Sequence, residues 1–547
     1  MKNRIFTVAI LLVLIMVSLS GTGQNQEKEF DRIVNEQNFE NSPGFAVLIA
    51  KDTSVIYKKA FGYANLEHDV KLTPEHIFRI GSITKQFTAC AILKLAEKGK
   101  LSLEDDITKY IKDYPVHGHS ITIEHLLTHT SGIKSYTGMN TWTNEVRRKD
   151  FTPEELIEFF KKEPMDFAPG EEYRYNNSAY FMLGYIIENV SGKTYEEYLN
   201  EQFFVPLGMK NTSYDQTTKI IKNRASGYQK NNDRFENAEY LSMTQPYAAG
   251  SLLSTVGDLF RWYTAVMNDK VISRENREKA HTSYALNNGE PTGYGFGWAL
   301  GNIHGSPMIE HGGGINGFLT SSMYLPEEKV FVAVFSNCDA VPPQNTAIKL
   351  AALAINKPYN FEEIKPGQKT VEYTGVYESG KKETRTVVAE NDSLWIVHPS
   401  GSRERLAPFA KDKFFIKNTF TEITFDRGEQ EKIVALRING TGYLPDKYLR
   451  TEKPVELRNE IQLPDELLIK YIGKYQLQPG FVVTISKKDG KIFAQVTGQS
   501  EFEIVAFAEH KFFSKEFPLE IVFHLNEKNE VIKLTAGQEQ QEAKKIE

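Results

Sequence analysis

Ser82, Ile83, Thr84 and Lys85 set a hydroxyl and an amine three positions apart where a helix is predicted to begin. Residues at that spacing share one helix face about a turn apart, so a nucleophile stands beside a potential base. The unpaired N–H groups and positive end of a helix N-terminus also favour negative charge developing near such a hydroxyl. The same pattern recurs at Ser131 to Lys134 and at Ser379 to Lys382, but there glycine follows the serine, favouring a turn, and no amphipathic helix comes after. Only Ser82 leads into one: Gln86–Lys98 carries Phe87, Ile92, Leu93, Leu95 and Ala96 on or near one face. The plain alternative is a serine capping a helix whose first turn bears a solvated lysine.

Tyr175-Asn176-Asn177 follows the turn Pro169-Gly170 and precedes the helical run Tyr180–Val190. A phenol there could relay the serine proton if a nearby ammonium lowered its pKa. Tyr63-Ala64-Asn65 has the same spacing at a strand end, where tyrosine ordinarily packs and asparagine ordinarily turns the chain. A third element is His311-Gly312-Gly313-Gly314, between two predicted strands. Its glycines let a substrate backbone approach closely. His311 could orient the carbonyl or carboxylate side of a ligand, and the Gly314 N–H could be one of two donors to an oxyanion. Alone, the run reads equally as a glycine-rich hairpin with an exposed histidine.

These elements need a scaffold, and from Gly44 to about Asn356 strand-like and helix-like segments alternate. Phe45–Ala50 and Ser54–Phe61 predict a hairpin about Lys51-Asp52. Pro307–His311, Phe318–Leu325 and Val330–Ser336 read as later strands, and Thr346–Ile355 as a closing helix. The mixture predicts an α+β layer with an antiparallel sheet shared by the first and last parts of the segment. Beyond the Pro-, Glu- and Lys-rich linker Lys357–Gln368 the texture turns to short strands. Tyr373-Thr374-Gly375-Val376-Tyr377 returns as Tyr471-Ile472-Gly473-Lys474-Tyr475, Lys413-Phe414-Phe415 as Lys511-Phe512-Phe513, and Glu422-Ile423-Thr424-Phe425 as Glu520-Ile521-Val522-Phe523. All three matches share one offset, 471 − 373 = 98, which predicts two copies of one small β-domain, each a barrel or sandwich. The expected organisation is a leader at 1–23, a catalytic domain at 24–360, and β-domains at 368–453 and 466–547.

The leader rests on Lys2 and Arg4 ahead of an apolar run from Ile5 to Val17, with small residues up to Gly23. It predicts export to the periplasm or the exterior; a retained single span is the alternative, although the run is short of the roughly 20 apolar residues that cross a bilayer. No cysteine follows it for lipid attachment. With a formal charge of −6 and no basic cluster, nucleic acid is excluded as a partner. Cys90 and Cys338, the only thiols, are expected buried and free, a single bridge between them being the alternative. His117, His119, His125 and His129 crowd one stretch, but His125 and His129 lack the Glu of a His-Glu-x-x-His helix. They are expected to pack beneath the site; no metal and no cofactor is called for.

The order of the three elements resembles the class C β-lactamase and DD-peptidase superfamily of penicillin-recognising serine hydrolases. The resemblance runs over Gly44–Asn356 and includes Leu126-Leu127-Thr128-His129-Thr130-Ser131-Gly132, Phe167-Ala168-Pro169-Gly170 and Tyr294-Gly295-Phe296-Gly297-Trp298. It implies a β-lactamase/transpeptidase-like α/β sandwich, followed by lipocalin-like or other barrels as in D-aminopeptidase-like members. It also implies roles: Ser82 the acylated nucleophile, Lys85 and Tyr175 sharing proton transfer, Asn177 positioning substrate, His311 and Gly313 the third motif, and the N–H groups of Ser82 and Gly314 the oxyanion hole. Class C β-lactamases carry lysine where this chain has His311, which points away from efficient β-lactam hydrolysis. The substrate implied is a peptide with D-amino acids or a cell-wall-derived peptide, with an ester or a β-lactam as alternatives. A non-catalytic receptor for penicillin or peptidoglycan is the reading of another class, against which the retained Ser82, Lys85 and Tyr175 stand.

Overall fold

Two apolar strands, β1 (Phe45–Lys51) and β2 (Ser54–Phe61), form the hairpin that the sequence predicts, turning through Asp52 in the left-handed region at φ 55°. Four later strands, β3 (Ala299–Ile303), β4 (Ser306–Ile315), β5 (Phe318–Leu325) and β6 (Val330–Ser336), complete an antiparallel sheet ordered β3-β4-β5-β6-β1-β2. The register from Phe45 opposite Ser336 to Lys51 opposite Val330 joins the first strand to the last. The computed structural model describes residues 25–546 apart from 232–233, 360, 365–369, 381, 400, 456–459, 479–480, 489, 498–500, 515–518 and 538–540. The leader at 1–23, most of the second half of the linker and Lys381 of the third serine–lysine pattern therefore lie outside the described residues.

The centre of the sheet is buried on both faces, as its unbroken apolar strands require. Ala46, Leu48, Ala50, Phe331, Ala333 and Phe335 join the main core, while the alternating Phe45, Val47, Ile49, Val330, Val332 and Val334 are buried on the other side. The main core also holds α1 (Thr84–Glu97), α2 (Asn177–Ser191) and α3 (Val256–Met267); α4 (Gln344–Ala354) packs on β5, β6 and β1 without joining that cluster. Helix α1 is anchored where Phe87 stacks on Trp262 of α3, ring centroids 4.0 Å apart. It stops at Gly99, whose φ of 66° lets the Gly99 and Lys100 N–H groups bond the Ala96 and Leu95 carbonyls.

The sequence reading differs from the structure in two places that matter for position. Ser82 lies in a 3-10 turn, Gly81–Ile83, that runs into α1, and not in the helix itself, because Gly81 adopts a φ of 51° that breaks regular winding. That turn hangs from a small sheet of Phe78–Arg79, Leu252–Ser254 and Ser213–Tyr214, which the sequence did not suggest. The edge strand β3 also went unread: Ala299-Leu300-Gly301-Asn302-Ile303 has little apolar alternation and is held by its ladder to β4.

Contacts separate residues up to Tyr359 from a second unit that begins at Asn360. The second unit holds two closed barrels of eight antiparallel strands, Gly375–Ser379 to Asp446–Arg450 and Gly473–Gln478 to Gln541–Lys545. The repeat seen in the sequence is thus a repeat of structure. In each copy a fully buried tyrosine donates to the carbonyl four residues earlier: Tyr377 to Tyr373 at 2.6 Å and Tyr475 to Tyr471 at 2.7 Å. We expect Tyr377→Phe and Tyr475→Phe each to cost about 1–2 kcal/mol, since each leaves a carbonyl inside the barrel without its donor. Urea unfolding of the full chain measures this, and two unchanged midpoints would remove these bonds from the account.

Candidate active site

Three segments meet at the Ser82 turn. Thr320 of β5 donates to the Ile80 carbonyl at 3.0 Å, tying the turn to the sheet, and Leu252 accepts from Ile80 N–H at 3.0 Å on the other side. Strand β4 passes so close that a Cβ on Gly313 would stand 2.0 Å from the Ile80 oxygen and 2.4 Å from Thr320 Oγ1. A Cβ on Gly81 would stand 2.9 Å from the Gly314 nitrogen. These glycines are what allow the turn and the strand to touch.

The Lys85 amine is buried beneath this junction, 3.1 Å from Ser82 Oγ, 2.9 Å from Asn177 Oδ1 and 2.9 Å from the Ala249 carbonyl. Burial holds its pKa well below the ordinary lysine value. A neutral amine has two N–H groups and one lone pair. Asn177 Oδ1 and the Ala249 carbonyl can only accept, so they take the two N–H groups and leave the lone pair toward Ser82 O–H. Asn177 is fixed in turn by its amide, which donates to Thr137 Oγ1 at 3.1 Å, and by Asn176, whose side chain caps α2 through Ala179 N–H at 2.9 Å.

Tyr175 completes the cluster, its hydroxyl hydrogen-bonded to Ser82 and its ring 4.7 Å from the Lys85 nitrogen. Its surface is 38% exposed. The protein crowded about the rest raises its pKa, and the Ser82 hydrogen bond opposes this only in part. The sequence reading had a neighbouring ammonium lower that pKa; the direction is the reverse, because Lys85 is itself desolvated toward its neutral form. Tyr175 is therefore a protonated donor to Ser82 Oγ.

His311 is buried on β4, its ring 6.0 Å from that of Tyr175. Its Nδ1 lies 2.6 Å from the Gly312 carbonyl, which can only accept, so Nδ1 carries the proton and Nε2 accepts from Tyr294 O–H at 2.9 Å. Burial pushes its pKa down to about 3. His311 is thus a neutral imidazole and supplies no cation where the related β-lactamases have lysine. The exposed hairpin histidine considered from the sequence does not occur.

Among the four crowded histidines, His129 does pack beneath the site, its ring within 4.4–4.9 Å of those of Tyr175, Tyr180 and Tyr294 and its Nδ1 accepting from Asn176 N–H at 3.0 Å. His125 closes a capping box with Thr122. His117 and His119 are exposed in a turn, so packing does not explain them. Among the described residues no group of three His, Cys, Asp or Glu is set to hold a metal ion. Cys90 and Cys338 are buried and free. The other serine–lysine pairs lead elsewhere: Lys134 bonds Asp166 at 2.8 Å and Lys382 bonds Glu378 at 3.3 Å. Tyr63 packs under Lys71 and Asn65 accepts from His68 N–H in a turn. Sequence reasoning missed two contributors. Tyr294 was visible only as part of a longer resembling stretch, and the Ala249 carbonyl, from a 3-10 turn Tyr247–Ala249, has no signature because any residue has a carbonyl.

The chain is similar to several known proteins. The β-lactamase family model matches residues 30–356, and a domain of unknown function (DUF3471) matches residues 457–547, the second barrel. Penicillin-binding protein 4* of Bacillus subtilis (strain 168) is 29% identical over 435 residues, covering 74% of this chain and 95% of its own. An octameric penicillin-binding protein homologue from Pyrococcus abyssi is 30% identical with a TM-score of 0.55, over 78% of this chain and 99% of that one. The D-amino acid amidase of Ochrobactrum anthropi SV3, 22% identical with a TM-score of 0.55 over 61% of this chain and 99% of its own, shares the fold. The family match covers more than half of the sequence and contains the whole Ser82, Lys85, Tyr175 and His311 cluster: the chain belongs to the β-lactamase family of serine hydrolases.

Proposed function

We propose that the protein is an exported hydrolase that opens an amide or ester through an acyl-enzyme on Ser82, with a peptide containing D-amino acids, such as a cell-wall fragment, as its substrate. The observation that carries this reading is the buried Lys85 amine 3.1 Å from Ser82 Oγ, with two further acceptors for its N–H groups and a pKa held well below the ordinary lysine value by burial. Ser82 Oγ attacks the carbonyl carbon as its proton passes to Lys85, and the carbonyl oxygen becomes an oxyanion held by the Ser82 and Gly314 N–H groups. One such donor is worth about 3–4 kcal/mol in comparable sites. The proton then returns through the Tyr175 phenol to the leaving nitrogen or oxygen as the C–N or C–O bond breaks. Water attacks the acyl-enzyme by the same route in reverse, releasing the acid and restoring Ser82. Asn177 and the β4 backbone at His311 and Gly313 position the substrate.

Support for the substrate class comes from the neutral His311. A β-lactam or a peptide with a free carboxylate gains no ion pair there, so the site favours substrates held by backbone contacts along β4. The similarity to penicillin-binding protein 4* supports a site that accepts penicillin. Among the described residues no helix is long and apolar enough to cross a membrane, and the leader at 1–23 supports export.

Three outcomes follow. Ser82→Ala lowers kcat/KM on a D-amino-acid peptide amide by on the order of 10⁴-fold with an unchanged melting temperature. Mass spectrometry of the wild type with a penicillin shows one acyl group, on Ser82; turnover by Ser82→Ala, or acylation elsewhere, would refute the assignment. A chain ending near Gln368 stays folded and is still acylated by penicillin, since the catalytic domain at 24–360 has its own core; an insoluble product would show that this boundary is wrong.

A further inference from the structure

Up to a bulge between Gln476 and Gln478, the first seven strands of the two barrels share one register. Gly375 pairs with Val387 as Gly473 pairs with Ile485, Leu394 with Leu406 as Ile492 with Ile504, and Phe414 with Ile423 as Phe512 with Ile521. One end is closed alike in both, by Tyr373 edge-on to Phe414 and by Tyr471 edge-on to Phe512. The opposite ends differ in kind.

In the first barrel that end carries Glu383, Arg385, His398 and Glu404. Tyr448 donates to Glu383 at 3.2 Å, the Arg385 guanidinium lies 5.1 Å from the Tyr448 ring centroid and 3.8 Å from Glu383, and His398 meets Glu404 at 2.8 Å. Two groups of paired polar side chains stand at this end, with Glu383 and Glu404 partly exposed. The shared register puts Phe481, Val483, Val496 and Phe502 at the same four places of the second barrel. With Leu477 and Ile521 they line an open cavity of about 390 Å³ that continues the barrel core, with Gln541 at its edge. Eight strands leave room for a small ligand when side chains do not fill the lumen, and cavities above about 300 Å³ lined by apolar groups are the usual form of a small-molecule site. The scaffold does not require an apolar lining here, because its sister copy carries polar groups at the equivalent positions.

We propose that the second barrel binds a small molecule bearing a hydrocarbon chain, the chain entering the lumen between Val483, Val496 and Phe502 and the polar end remaining beside Gln541. The site is separate from the hydrolytic chemistry of Ser82 and does not rest on it. Among the described residues that line the cavity none is charged, so affinity is set by the apolar surface removed from water, and each methylene strengthens binding about fourfold until the space is full.

The test uses the full chain and N-phenyl-1-naphthylamine as a fluorescent probe, displaced by 1-hexanol and 1-octanol. The expected result is one saturable probe site, with 1-octanol displacing at about fifteenfold lower concentration than 1-hexanol. Phe481→Glu, at a position 43% exposed and therefore tolerant of a charge, and Leu477→Ser each weaken probe binding at least tenfold with little change in melting temperature, whereas Glu383→Phe in the first barrel leaves it unchanged. Absence of a saturable site, equal displacement by the two alcohols, or binding that survives both second-barrel substitutions would overturn the proposal. The chain-length dependence reads on the wild type and does not depend on any variant folding.

Discussion

An ammonium group taken out of water loses the hydration that stabilises its charge, and the surroundings of Lys85 do not replace it. Among the described residues no carboxylate pairs with the amine; its partners are a hydroxyl, a side-chain amide oxygen and a backbone carbonyl, none of which bears formal charge. Lys85 also sits in the first turn of α1, where the helix end is positive and a cation is disfavoured. Burial and helix field act in the same direction, toward a free amine. The hydroxyl it needs to deprotonate is the one group of the three that can donate a proton to it.

Much of the catalytic unit can be read as what that arrangement demands. Sealing the amine requires strand β4, the Ser82 turn and α2 to close over it, and backbone can approach backbone so closely only where Gly81 and Gly313 lack side chains. The turn is then held from both sides, by Thr320 on the large sheet and by Leu252 on the small one. The wall of aromatic rings around His129 withdraws the phenol of Tyr175 and the imidazole of His311 from water together, so both stay uncharged. A site of neutral donors and acceptors is thereby arranged around the place where an oxyanion would form, and charge appears only during reaction.

The large elements were legible in the sequence because their signals are local. Short apolar runs bounded by turns marked β1, β2, β5 and β6, helical spacing marked α1 and α2, and the constant offset between Tyr373 and Tyr471 marked the repeated barrels before any strand pairing was known. Ser82, Lys85, Tyr175, Asn177, His311, Gly313 and Gly314 could be named because three short patterns in one order resemble a known family, and the structure brings them together around the Ser82 turn. What could not be read depends on distant chain. The Ala249 carbonyl is independent of residue type, Tyr294 contributes through a bond to a strand it does not adjoin in sequence, and the direction of the Tyr175 shift follows from how much protein surrounds it. The polar and apolar ends of the barrels were likewise present as letters, but only the strand registers show that Glu383 and Phe481, or Glu404 and Phe502, occupy the same place.

The protonation state of one amine can be observed directly. In protein carrying lysine labelled with ¹³C and ¹⁵N, the Nζ resonance of Lys85, assigned by its loss in Lys85→Met, should have the shift of a neutral amine at pH 7 and should not titrate near the ordinary lysine value of 10.5. An ammonium shift at pH 7 that changes only around pH 10 would contradict the account, since Ser82 would then have no base beside it.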